Sequence, residues 1–131
     1  MKGVRAHPVA VHKDPRGELR PLEFGNPLDF LPARVFIISA CPPDAERACH
    51  ALSARLALVA LVGSVQIELD NGAERATRML AEGTEVLMLD AGVWLRLTRF
   101  SPDVQLMVLC AETFEAVRYF DTPQPDLLSV S

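Results

Sequence analysis

From Ser64 to Asp70 apolar and polar residues alternate without a break. Val65, Ile67 and Leu69 point one way; Gln66, Glu68 and Asp70 point the other. That pattern predicts a half-buried strand. It runs into Asp70-Asn71-Gly72, and Asn71-Gly72 is a strong hairpin signal, because both central positions of a type I′ turn take positive φ. The expected return strand is AERATRML. VWLRLTRF alternates in the same way, with Trp94, Arg96 and Thr98 on one face and Val93, Leu95 and Leu97 on the other. ARVFIISA and RLALVALV are more uniformly apolar, as expected of strands buried on both faces or lying at a sheet centre. In RLALVALV the β-branched valines and the closing glycine favour strand over helix. TEVLML and VQLMVLCA complete the set, and a short helical turn fits AETFEAVRYF.

Prolines at positions 8, 15, 21, 27, 32, 42, 43 and 102 fall between or at the edges of the apolar segments, which argues against long helices. The result is nine or ten short strands with turn signals every 8–12 residues, the signature of an all-β antiparallel sandwich or barrel. The closing DTPQPDLLSVS, from about residue 122, is expected to leave the body of the fold loosely.

Composition narrows the function. A chain of 131 residues makes one domain, and 50% hydrophobic content suits a packed core. A net charge of -4 argues against a nucleic-acid surface, although a local arginine cluster can still hold an anionic ligand. Cys41, Cys49 and Cys110 form no C-x-x-C pair, and an odd count favours a reducing compartment. The opening MKGVRAHPVAVHKDPRG lacks the apolar stretch of a signal peptide, and LALVALVG is too short to span a bilayer. The expectation is a cytoplasmic protein without a membrane partner.

The histidines carry the candidate chemistry. His7 and His12 are five apart, so one regular strand would turn them to opposite faces. No H-x-H pair stands with a carboxylate, so three or four converging metal donors do not assemble. Cys49 adjoins His50 but would face the other way, which reads as a small thiol rather than a nucleophile. Proton transfer survives: an imidazole titrates near neutral pH and can both take and return a proton. Arg47, three residues before His50, suits bidentate capture of a phosphate or carboxylate. Trp94 and Arg96 share a strand face, an arrangement that can stack and clamp a nucleotide or sugar or merely fill core and reach solvent. Arg34 opens a strand, in the interior or at the rim.

The order of segments resembles the dTDP-4-keto-6-deoxyhexose 3,4-ketoisomerases, the WxcM-like sugar isomerases of the cupin superfamily. The likeness runs from about residue 11 to about 121. It rests on DPRGELRPLEF, ARVFIIS, ERACHAL, VGSVQIELDNG and AGVWLRLTRFSPDVQLMVLCAETF, taken in that order and spacing. The resemblance implies a cupin-type jelly-roll barrel, a homodimer, no metal and no cofactor. It also implies conversion of a nucleotide-linked 4-keto-6-deoxy sugar into its 3-keto isomer, with a base removing the C3 proton and a proton delivered at C4. On that reading His50 is the catalytic base, Arg34 and Arg47 meet the diphosphate or sugar oxygens, and Trp94 shapes the pocket; Arg96, from its strand face shared with Trp94, stands beside them as a candidate binding residue.

The chain departs from the motif in one chemical direction. Leu52 stands where the family has a second histidine. Phe36 and Ile37 replace a Tyr-Tyr pair, Ala48 replaces a glycine, and Leu56 or Ala57 replaces a glutamine. The histidine, tyrosine and glutamine changes each remove hydrogen-bonding capacity. A general acid or base contributes about 10²–10⁴-fold in rate. Two readings follow: an isomerase running on His50, or a cupin binding module that keeps the fold and a sugar nucleotide or smaller ligand without the chemistry.

Overall fold

The alternating segments become strands whose apolar faces meet between two sheets. The computed structural model describes residues 1–83 and 85–129. Along the chain run β1 (Val4–Pro8), β2 (His12–Asp14), β3 (Gly17–Leu19), β4 (Glu23–Phe24), β5 (Pro27–Leu28), β6 (Arg34–Ser39) and β7 (Arg47–Leu52). They continue as β8 (Leu56–Val62), β9 (Ser64–Asp70), β10 (Arg75–Ala81), β11 (Glu85–Leu89), β12 (Trp94–Thr98), β13 (Gln105–Cys110) and β14 (Tyr119–Phe120). The first main sheet has the order β1-β11-β8-β13-β6, and the second β10-β9-β12-β7-β14. All pairings within the two are antiparallel. The fold is the expected all-β jelly roll, with ten strands in the two facing sheets.

Leu58, Leu87, Leu106 and Val108 from the first sheet pack against Val65, Ile67, Leu69, Leu95 and Leu97 from the second, all buried. At about 25 cal/mol per Å² of apolar surface removed from water, this face-to-face layer is the main stabilising term. A second cluster lies outside the first sheet, where Val9, Leu28 and Phe30 cover Ala57, Val59, Val86, Met88 and Leu109. It explains why RLALVALV is apolar through most of its length: β8 is the central strand and is covered on both faces from Leu56 to Ala60, while Leu61 is exposed.

The same cover stops short of β6, where the sequence expectation needs correction. ARVFIIS is an edge strand whose outward residues Val35 and Ile37 are each 54% exposed. The Asn-Gly hairpin forms, but its tip lies one residue later than expected. Asn71 is paired to Glu74 through its N–H, and only Gly72 within the turn takes positive φ. Asn71 is buried, and its side chain organises the loop. Its Oδ1 accepts from the Ala73 and Glu74 N–H groups, and its Nδ2 donates to the Lys2 carbonyl.

AETFEAVRYF makes a single helical turn, with the Val117 N–H donating to the Thr113 carbonyl, and then becomes β14. The expected strand TEVLML begins at Glu85, with Thr84 outside the described residues. Hydrogen bonds join the closing segment to the body of the fold as far as Ser129. The Gln124 N–H donates to the Gly92 carbonyl, and the Ser129 N–H donates to buried Asp90. Gly92 has to be glycine here: its φ is +93°, and a Cβ would run into the Gln124 carbonyl. Val130 and Ser131 lie outside the described residues.

Candidate active site

Strict alternation along RACHAL would put Arg47 and His50, three residues apart, on opposite faces of the sheet. The structure breaks the alternation. Opposite β7, Leu95 pairs with His50 but Arg96 pairs with Ala48, so Cys49 is an extra residue bulged out of the ladder. Ala48 (φ 67°) and Cys49 (φ 60°) both take positive φ to make the bulge. One inserted residue turns a three-residue spacing into a same-face pair. Arg47 and His50 both line the space between the sheets, and Cys49 is exposed.

That space is a cavity of about 180 Å³, partly open to solvent. Its walls are mostly apolar: Phe36, Ile38, Leu52, Leu56, Leu58, Leu95, Leu97 and Val108. Of the positions that depart from the resembled motif, Phe36, Ala48, Leu52 and Leu56 line this cavity. Ile37 is exposed and Ala57 packs under the outer cluster. Leu56 rather than Ala57 therefore occupies the lumen position.

The polar residues of the cavity are Arg34, Arg47, His50 and Tyr119. Arg34 is the first residue of β6 and is held between two rings, with its guanidinium carbon 4.4 Å from the Phe36 centroid and 5.1 Å from that of Phe114. Neither Arg34 nor Arg47 makes an ion pair or side-chain hydrogen bond among the described residues. Two guanidinium groups without counter-charges beside an apolar cavity make a site for an anion. His50 is partly buried, and its Nδ1 is buried with no hydrogen-bond partner among the described residues. Burial pushes its pKa below the ordinary 6.5, with its own main chain pulling the other way. Burial thus favours the neutral, proton-accepting form of the imidazole.

Tyr119 was not singled out by sequence reasoning. It lies in the stretch expected to be a helical turn, and no local periodicity points it inward. β14 places it opposite Leu52, and its ring meets the His50 ring edge-on, with centroids 4.8 Å apart. One sequence signal was available: it is the only tyrosine in the chain.

Trp94 and Arg96 are not brought to this cavity. They share a face, as alternation requires, but it is the outer face of the second sheet. There they line a separate depression of about 420 Å³ with Glu68, Asp70, Arg75, Thr77 and Asp121. Arg96 is already neutralised by Glu68, bonded through Nε, and by Glu46 at 3.6 Å. That pairing raises its own pKa and lowers that of Glu68. Among the described residues no group of three His, Cys, Asp or Glu side chains stands together to hold a metal ion. None of their helices is long and apolar enough to cross a membrane.

A family model described as WxcM-like, C-terminal matches residues 2–125. The chain belongs to the WxcM-like family. No curated protein matches it. Among solved structures, this WxcM-like chain is similar to the WlaRB TDP-quinovose 3,4-ketoisomerase of Campylobacter jejuni. The two are 26% identical with a TM-score of 0.86, over 93% of this chain and 95% of that one. It is also similar to a variant of the 3,4-ketoisomerase QdtA of Thermoanaerobacterium thermosaccharolyticum in complex with TDP-4-keto-6-deoxyglucose. Here identity is 25% and TM-score 0.84, over 93% of this chain and 89% of that one. NovW, a 4-keto-6-deoxy sugar epimerase of Streptomyces spheroides, shares the fold at 14% identity and TM-score 0.74, over 87% of this chain and 66% of that one.

Proposed function

We propose that this protein isomerises a dTDP-linked 4-keto-6-deoxy sugar to its 3-keto isomer, without metal or cofactor, in the cavity between the sheets. The observation that carries the proposal is the meeting, in one cavity, of a partly buried imidazole at His50 with two arginines, Arg34 and Arg47, that make no ion pair among the described residues. A C3 hydrogen beside a ketone is acidic enough for such a base. At about 180 Å³ the cavity is smaller than the ~300–1,000 Å³ typical of pockets that enclose a drug-sized ligand. The sugar ring therefore enters and the nucleotide stays outside, with its diphosphate against the two guanidiniums. Family membership and the ketoisomerase neighbours support the reading.

A homodimer is part of the proposal. Val35 and Ile37 on edge strand β6, with Leu19, Phe24 and Leu31 nearby in sequence, leave large apolar side chains exposed that a second copy would cover. Light scattering on the purified protein tests this; a monomer at micromolar concentration would refute it.

A second reading has its own observation. Phe36, Leu52 and Leu56 leave the lumen with few hydrogen-bonding groups, which suits a binding module that no longer turns over. Incubation with dTDP-4-keto-6-deoxyglucose in deuterated water separates the two. Deuterium entering the carbons flanking the ketone, and lost in His50→Ala, supports the isomerase. Tight dTDP binding without exchange supports the module. Neither binding nor exchange refutes both.

A further inference from the structure

An isomerase of this type moves protons at two neighbouring carbons, and His50 is one group. Resting on the isomerase reading above, we infer that Tyr119 is the second proton-carrying residue of the cavity, delivering the proton to C4 after His50 has taken one from C3. The first argument is elimination. The lining residues able to hand over a proton are His50 and Tyr119, since Arg34 and Arg47 stay protonated and the remaining lining residues carry no side-chain N–H or O–H. The second is placement. β14 pairs with β7 in the register Tyr119↔Leu52, which sets the phenol ring edge-on to the imidazole at 4.8 Å. The third is access. Tyr119 lines the cavity yet is 45% exposed, so it stands on the open side where the sugar must enter.

The proton balance closes without another reactant. The His50 imidazole takes the C3 proton, and the C–H electron pair becomes the C3–C4 double bond as the C4 carbonyl oxygen takes up negative charge. The hydroxyl proton on the C3 oxygen passes to the C4 oxygen. The C3 oxygen then re-forms a carbonyl, the double-bond pair takes the Tyr119 hydroxyl proton at C4, and the phenolate left behind recovers a proton from the imidazolium. C3 is oxidised and C4 reduced within one molecule, so no external oxidant or reductant enters.

Tyr119→Phe keeps the ring against His50 and removes only the hydroxyl. Three quantities are measured in wild type and variant: conversion to the 3-keto sugar, deuterium wash-in at C3 of recovered 4-keto substrate, and the thermal midpoint as a check on folding. The expected result is conversion lowered at least about 100-fold, C3 wash-in within about threefold of wild type, and an unchanged midpoint. Conversion by the variant within about threefold of wild type overturns the inference while leaving the isomerase reading intact. Equal loss of conversion and wash-in also overturns it, because the hydroxyl would then act at the first transfer. A wild type that neither converts nor exchanges removes the isomerase reading itself, and this inference with it.

Discussion

Replacing Arg47, Arg34 and Arg96 one at a time by alanine decides which of the two cavities holds the nucleotide. Arg47 and Arg34 line the inner cavity and make no ion pair among the described residues, whereas Arg96 faces the outer depression with Glu68 and Glu46 already upon it. A hydrogen bond to a charged group contributes about 1.5–3 kcal/mol. Arg47 is at the exposed rim, so the lower figure applies to it. With about 1.4 kcal/mol per tenfold in affinity, Arg47→Ala should weaken dTDP binding roughly tenfold. Arg34 is braced between Phe36 and Phe114, so its guanidinium loses little freedom on binding. Arg34→Ala should therefore cost as much or more, toward about 100-fold. Arg96→Ala should change affinity less than about twofold, because its charge is already spent on two carboxylates. Isothermal titration with dTDP at two salt concentrations measures all three, and the Arg47 contribution should shrink at high salt. If Arg96→Ala weakened binding as much as Arg47→Ala, the nucleotide would lie on the outer face and the argument from the inner cavity would fail.

Three further outcomes are expected. The His50 pKa lies below its unfolded value, so the unfolded chain binds the extra proton and native stability falls as pH drops below 6.5 toward the lowered native value; His50→Gln should flatten that part of a midpoint-versus-pH curve, and the acidic limb of kcat/KM should lie below 6.5. Ala48→Gly relieves a positive φ costing about 1–2 kcal/mol against about 0.4–1 kcal/mol of added unfolded-state entropy, so thermal denaturation should show a midpoint about 2–4 °C higher. Asn71→Ala strips two loop N–H groups and the Lys2 carbonyl of their side-chain partner at a buried site, and urea unfolding should register a loss of about 2–3 kcal/mol.

Much of the architecture was legible in the sequence, because alternation is a local property. Val65, Ile67, Leu69, Leu95 and Leu97 face the core as a period of two requires, and β8 is apolar from Leu56 to Ala60 because it is covered twice there. His50, Arg34 and Arg47 were legible as candidates from residue type and order. Whether they meet in one cavity was not. The bulge at Ala48–Cys49 leaves no mark in hydrophobic pattern, since neither residue is a glycine, and it alone places Arg47 beside His50. Trp94 and Arg96 were read correctly as neighbours, but alternation states only that two residues share a face and not which face is the lumen. Tyr119 comes to His50 through pairing between strands separated by 66 residues of chain. Periodicity carries what each strand buries, because burial is set residue by residue along a pleated chain. Convergence of distant side chains on one cavity depends on register and on a single inserted residue, and those are properties of the assembled sheets.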